Sequence, residues 1–401
     1  MILLVSAVFP PEPVVSATLA KDLADALSEI TEVKVLSPKP TRPLGFSFIE
    51  KDDNKSKYEH IILKSYTYPE SGITGRMLES FSFGKHASDF IKMNRVDIQC
   101  IYLNAWPLLA QFMLVKIAKR FSIPIIIHVQ DIYPESLSEK LPLILKGIFT
   151  KCFLLIDKYI QKNADKVVTI SPKMRTFLIN SRQLAEEKVK VVYNWQDEEK
   201  FIAYKNSRQN NFQKSYFTFM FLGNINKTAA LDVLISAFAA CGLENARLII
   251  AGSGSEKDSL KSLAKKYPSA KIEFWEADVS KVPEIQDKAE VMILSLKRGV
   301  ARFALPSKLP AYMFSSKPII ASVDEDCDTA NAIRQAKCGW VIPPENLSAL
   351  TDAMITAFSM PDFKLRNYGE KGFTFALGNY TRKINLQKLA AIILSNLKDG
   401  K

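Results

Sequence analysis

Short runs rich in Val, Ile and Leu alternate along the chain with segments whose apolar residues recur near a helical period. Strands are predicted at 2–8, 32–37, 98–104, 123–129, 166–171 and 189–194, then at 217–223, 247–252, 271–275, 290–296, 317–322 and 339–343. Helices are predicted between them at 17–29, 107–120, 172–181, 229–240, 256–266 and 346–358. An apolar strand followed by an amphipathic helix, repeated, means parallel sheets covered on both faces and an α/β class. The polar stretch 196–216 separates the two series and reads as a linker, giving domains 1–195 and 196–380. The Pro-rich stretch 38–60 and the segment RMLESFSFGKHASDFIKMNR (76–95) read as loops. The closing segment 381–401 has helical apolar spacing and could pack on either domain.

Composition narrows the class. At 401 residues the chain is too long for one ordinary core, and 47% hydrophobic with 24% charged residues is globular. No uninterrupted apolar run reaches membrane-spanning length. The opening MILLVSAVFPPEP lacks a basic n-region and a small-residue cleavage site, so a first strand is expected there, not a signal peptide. Five scattered cysteines without a C-x-x-C spacing suggest reduced thiols and a cytoplasmic setting. Three histidines, His60, His86 and His128, make no zinc pattern, so no metal site is expected. The net charge of +12 is spread along the chain, which argues against a nucleic-acid arm but suits anionic small molecules or an anionic membrane face.

Chemistry-bearing residues collect where predicted strands end. Two doubly wound domains facing each other would leave a cleft along the carboxyl ends of their strands, where ligands of such folds bind. On the first domain the loop 9–16 brings Glu12 and Ser16, the 98–104 strand brings Asn104 with Trp106 beyond it, and 123–129 runs into HVQDIYPES (128–136). Read alone, that last stretch is either a turn in which Asp131 caps a helix beside a satisfied His128, or part of a built site. On the second domain FLGNINK (221–227) and AGSGSE (251–256) are strand-to-helix turns with glycine, whose N–H groups can meet an anion. Neither is a Walker or dinucleotide fingerprint. The richest stretch is 296–322: Lys297, Arg298, Arg302 and Lys308 lie within twelve residues, with Pro306 and Ser307 at a predicted helix start. Such a cationic helix N-terminus matches a diphosphate; the alternative is a solvated basic loop.

The chain resembles the family-4 glycosyltransferases of GT-B fold, in the branch that makes bacterial O-antigen, capsule and exopolysaccharide, and within it an L-fucosamine-transferase-like sub-branch with a P-S-K pattern. The resemblance is carried in order by ILLVSAVFPPEPVVSATLAKDLADAL, HVQDIYPESL, ADKVVTISPKM, VVYNWQDEEKF, FLGNINKTAALDVLISAFA, LIIAGSGSE and ALPSKLPAYMFSSKPIIA. It implies two Rossmann-like domains, a nucleotide-sugar donor on the second, an acceptor on the first, a C-terminal helix that returns to the first domain, and no metal or other cofactor. It places His128 near the transferred sugar. Glu12, Ser16, Asn104, Asp131, Tyr133 and Glu135 fall to the acceptor side. Gly223, Asn224 and Lys227 fall to the diphosphate loop, Trp275 and Glu276 to the base, and Pro306, Ser307 and Lys308 to the phosphates. The chain departs from the pattern at Val14 and Val15, where relatives carry glycines, and at Asn224 and Ala229, where they carry Arg and Lys. The usual pair of glutamates is replaced by Phe303 and Ala311. Lys308 and Arg302 would then supply the positive charge that meets the leaving phosphate, so the expected catalytic set is His128, Lys308 and Arg302.

The activity so implied is retaining transfer from a UDP-sugar to a lipid-linked saccharide, the departing phosphate taking the acceptor proton. Two other readings stand beside it, a nucleotide-sugar 2-epimerase of the same fold and a non-catalytic binding or scaffold subunit. The stretch 140–166, with six lysines among apolar residues, reads either as a helix lying on the inner leaflet, making the protein peripheral there, or as a packed helix with snorkelling lysines.

Overall fold

In the computed structural model, residues 1–41, 56–68, 72–104, 107–135, 143–207, 215–301 and 305–398 are described. They divide into two compact units, Met1–Tyr193 with Asn385–Lys401, and Asn194–Ile384.

The first unit runs β1 (Ile2–Val5), α1 (Val15–Ser28), β2 (Val33–Pro38), β3 (Glu59–Leu63), α2 (Ile73–Asn94), β4 (Cys100–Asn104), α3 (Leu108–Arg120), β5 (Ile125–Val129), α4 (Leu143–Asn163), β6 (Lys166–Thr169), α5 (Pro172–Arg182) and β7 (Val189–Val191). Its strands form one parallel sheet in the order β3-β2-β1-β4-β5-β6-β7. Every residue of β1, β4 and β5 is buried, as expected where helices cover both faces. Local chemistry sets the helix ends: in ISPKM, Ser171 accepts from the Met174 N–H and Pro172 occupies the first turn of α5.

The second unit runs α6 (Glu198–Ser207), β8 (Phe217–Leu222), α7 (Leu231–Ala240), β9 (Ala246–Ala251), α8 (Lys257–Ala264), β10 (Ile272–Trp275), α9 (Val282–Asp287), β11 (Val291–Ser295), α10 (Lys308–Phe314), β12 (Ile319–Ser322), α11 (Asp328–Ala336), β13 (Gly339–Ile342), α12 (Leu347–Phe358), α13 (Asp362–Asn379) and α14 (Arg382–Leu394), the last grouped with the first unit from Asn385 onward. Its parallel sheet has the order β10-β9-β8-β11-β12-β13. The core is built on Phe219, Phe221, Leu234, Ile235 and Phe238. Asn385 is fully buried and its Oδ1 accepts from the Tyr193 N–H, while the Lys398 N–H donates to the Gln99 carbonyl, so the chain end is tied into the first unit.

Three predicted loops or linkers contain regular structure. Residues 76–94 of that segment lie within α2, which packs on α3; Ser80 accepts from the Ala110 N–H in the first turn of α3, so one helix caps the other. Gly75 and Gly84 interrupt its apolar pattern, and tertiary packing overrides the weak helical signal. The stretch 38–60 contains the start of β3, a sheet-edge strand whose exposed and half-buried residues hide it from an apolar-run reading; residues 42–55 lie outside the described set. Within 196–216, residues 198–207 form α6, whose Phe201 is buried against Phe314.

Each sheet reverses its strand order once, between β1 and β4 in the first unit and between β8 and β11 in the second. The carboxyl ends at these switch points are where such sheets bind ligands.

Candidate active site

In the second unit the switch point is occupied by a lysine. Helix α10 begins with Lys308, and one turn on, the buried Tyr312 hydroxyl donates to the Leu222 carbonyl at 2.9 Å and accepts from the Leu222 N–H at 3.0 Å. That clamp holds α10 against the end of β8. The Lys308 side chain then crosses over Gly223, where any Cβ would collide with its Cε, and Gly223 itself has φ +153°. The ammonium lies 4.2 Å from the centre of the Phe221 ring. No ion pair among the described residues involves it, and burial lowers its pKa to about 8.

The glycine turns are arranged differently from the expectation. The N–H groups of Gly223 and Ile225 already donate to the carbonyls of Ala251 and Ser253, and that of Gly252 to Trp275. Gly252 is required because a Cβ there would meet the Gly223 carbonyl. These two turns therefore lock to each other, and Gly223 contributes room for Lys308 in place of its own N–H. Asn224 and Lys227 are exposed on the same loop, and Asn226 caps the short turn behind them by accepting from the Thr228 N–H. Trp275 donates through Nε1 to Glu273, and Glu276 is exposed and paired with Lys257, which holds its carboxyl below the usual range.

Pro306 is half-buried and precedes α10; Ser307, its N-cap residue, is exposed and offers its carbonyl to Gln196 Nε2, not its side chain to the helix. The helix thus starts at Lys308, two residues beyond Pro306. Arg302 lies outside the described residues, as do Trp106 and Ser136. In the basic loop the N–H groups of Arg298 and Gly299 are taken by Glu345 and Asp324 carboxylates.

In the first unit, the register pairs Asn104 with His128 at the ends of β4 and β5. His128 is 1% exposed; its Nδ1 is 2.6 Å from the Tyr102 hydroxyl and its Nε2 is buried with no hydrogen-bond partner among the described residues. Burial lowers its pKa to about 4, so the ring is neutral near pH 7. Ser16 donates to Gln130 Oε1 at 2.7 Å, Asn104 Nδ2 donates to Ser6 at 3.4 Å, and the buried Glu12 accepts from the Thr41 N–H at 2.9 Å. Asp131 is exposed, whereas Tyr133 and Glu135 are held from below by Arg182.

Arg182 is fully buried, and sequence reasoning did not single it out. Its guanidinium donates to both Glu135 oxygens at 2.6 and 2.8 Å, to the Tyr133 carbonyl at 2.6 Å and to Asp157 at 2.6 Å. Gln161 Nε2 donates to the same Asp157. A cavity of about 20 Å³ bounded by Gln111, Asp131, Tyr133, Asp157 and Gln161 adjoins this network. The stretch 130–135 is therefore a rim built on a buried ion-pair network.

A family model described as Glycosyltransferase Family 4 matches residues 16–200, and one described as Glycosyl transferases group 1 matches residues 203–373. The chain is 23% identical over 319 residues to a probable glycosyltransferase, WbjE of Pseudomonas aeruginosa, covering 77% of each chain. Among solved structures it is similar to sucrose-phosphate synthase from Thermosynechococcus elongatus, with TM-score 0.77, 14% identity and 98% of both chains covered. It is also similar to Anabaena HepE in complex with UDP, with TM-score 0.71, 14% identity, and 98% of this chain and 99% of that one covered.

Replacing Arg182 by Ala leaves Asp157 charged and uncompensated, so we expect a loss of about 3–5 kcal/mol in urea denaturation. Arg182→Lys should recover only part, because an ammonium cannot form the two-pronged contact with Glu135. A loss below about 1 kcal/mol in the Ala variant would show that the network is not needed.

Proposed function

The chain belongs to the family-4 and group-1 glycosyltransferases of GT-B fold, and we propose that it moves a sugar from a UDP-sugar to a lipid-linked saccharide acceptor with retention of configuration. The observation that carries the donor half of this reading is Lys308: an ammonium with no ion pair among the described residues, half-buried at the switch point of the second sheet, whose side chain crosses Gly223 where a Cβ would collide with it. Cleavage of a nucleotide-sugar bond develops negative charge on the departing phosphate, and a preorganised cation there stabilises the transition state. UDP is favoured over other nucleotides by the likeness to HepE in its UDP complex. The acceptor would be met on the first unit by the rim of Glu12, Ser16, Asn104, Asp131, Tyr133 and Glu135, with His128 beneath.

With the leaving phosphate taking the acceptor proton, no carboxylate base is required, which suits a rim whose Glu12 and Glu135 are committed to structural hydrogen bonds. Charge neutralisation falls to Lys308 and Arg302, so transfer should proceed without a metal. The lipid-linked acceptor is supported by the surface of α2 and α4, both of which pack on α3. They expose Leu78, Phe81 and Leu155 (69% accessible) together with Lys85 and Lys151. Exposed apolar side chains and lysines on the same helices suit an anionic leaflet. No helix among the described residues is long and apolar enough to cross a membrane.

Calorimetric titration with UDP, GDP, ADP and dTDP should single out UDP, and Lys308→Ala should weaken it about 10- to 100-fold. Because the free-state pKa of Lys308 is about 8, the cation is complete below that pH and lost above it. UDP affinity should therefore fall as pH rises from 7 to 9, and the Ala variant should show no such slope. Absence of binding to all four nucleotides would instead favour a scaffold role. The anomeric coupling in the NMR spectrum of a product formed in EDTA should match that of the donor; the opposite anomer rejects the retaining mechanism. Reversing the charge of Lys146 and Lys151 should release the protein from anionic liposomes, and undiminished binding would remove the membrane surface from the proposal.

A further inference from the structure

The Tyr102–His128 pair carries an inference about proton placement that rests on the reading of His128 as part of the transfer site. Parallel pairing of Asn104 with His128 puts Tyr102, two residues earlier on β4, on the same sheet face as His128 and diagonally next to it. Both side chains are closed to solvent, and the hydroxyl meets Nδ1 at 2.6 Å. Among the described residues Tyr102 has no other side-chain hydrogen bond, and Nε2 has none at all.

Two tautomers are compatible with that distance, and they leave different debts. With the proton on Nε2, the phenol O–H donates to a bare Nδ1 and a single polar hydrogen, on Nε2, is left without an acceptor. With the proton on Nδ1, the phenol accepts, its own hydrogen is stranded, and the Nε2 lone pair is stranded as well. Each stranded polar group in a dry site is costly, so the first arrangement wins. A phenol is also a better donor than acceptor, and imidazole nitrogen a better acceptor than phenol oxygen.

We infer that Tyr102 is a positioning residue that fixes His128 as the neutral tautomer protonated on Nε2, so that the ring offers the transfer site a hydrogen-bond donor and not a base. The low basicity that burial imposes on the ring agrees with this, since it keeps the imidazole from taking a second proton near pH 7. The Nε2 is buried and has no hydrogen-bond partner among the described residues, so a proton held there is free to be donated to a substrate oxygen.

The test is a ¹⁵N–¹H correlation spectrum of the histidine rings in the full chain at pH 7. Only three histidines are present, and His128→Gln identifies the signals in question. The expected pattern is a proton-bearing Nε2 and a bare, hydrogen-bonded Nδ1. A proton on Nδ1, or two tautomers in exchange, overturns the inference. In Tyr102→Phe the Nδ1 hydrogen-bond shift should vanish and the second tautomer should appear; an unchanged spectrum also overturns it. If that variant does not fold, the wild-type spectrum decides alone. The measurement uses no substrate, so its failure is separable from a failure of the glycosyl-transfer reading.

Discussion

The phenol of Tyr312, closed on both the N–H and the carbonyl of Leu222, is the contact on which the candidate site of the second unit depends. It fixes a seven-residue helix against the last residue of a central strand, and a helix that short has little stability of its own. Lys308 is one turn before Tyr312 and so inherits that position. Its ammonium lies over the Phe221 ring, and Gly223 is the one residue type that leaves it room. Among the described residues no carboxylate pairs with it, and burial lowers its basicity. In the proposed function an anion from outside would meet that ammonium.

The first unit is organised by the opposite device, a cation fully satisfied. Arg182 spends its donors on Glu135, Asp157 and the Tyr133 carbonyl, and with them it sets the course of the chain after β5. A loop that leaves a strand end would ordinarily be free to wander; here buried hydrogen bonds determine it, which preorganises whatever Asp131 and Tyr133 present. Buried ion pairs seldom add net stability over a hydrophobic replacement, and the use of one here fits a demand for a defined loop path.

How much of this could be read from the sequence follows from physics. Strands covered on both faces are unbroken apolar runs and could be predicted, as could the edge strands β7, β10 and β13 from their β-branched and aromatic residues, while the edge strand β3, with its charged start, could not. Helix α2 was hidden because its stability comes from packing on α3, and α6 because Phe201 is its one buried residue in a polar stretch. At the site, Lys308 was legible in the P-S-K run. Its setting was not, because the clamp joins residues ninety positions apart. The glycine turns misled in one respect: glycine signals that something approaches closely, but not whether a ligand, a backbone or a lysine does. Arg182 and Tyr102 left no local signal, since their partners lie 25 to 49 and 26 residues away.

The replaced glutamates can be understood on the same terms. Resemblance to the family puts Ala311 where relatives carry the second acidic residue, and Ala311 is buried in α10, three residues after Lys308. A carboxylate at that spacing on a helix lies within reach of the lysine and would pair with it. Pairing would raise the basicity of Lys308 toward normal but would also neutralise the charge that a diphosphate needs. An alanine at 311 and a half-buried lysine without an ion pair among the described residues are therefore two sides of one arrangement, which suits the anionic ligand of the proposed function.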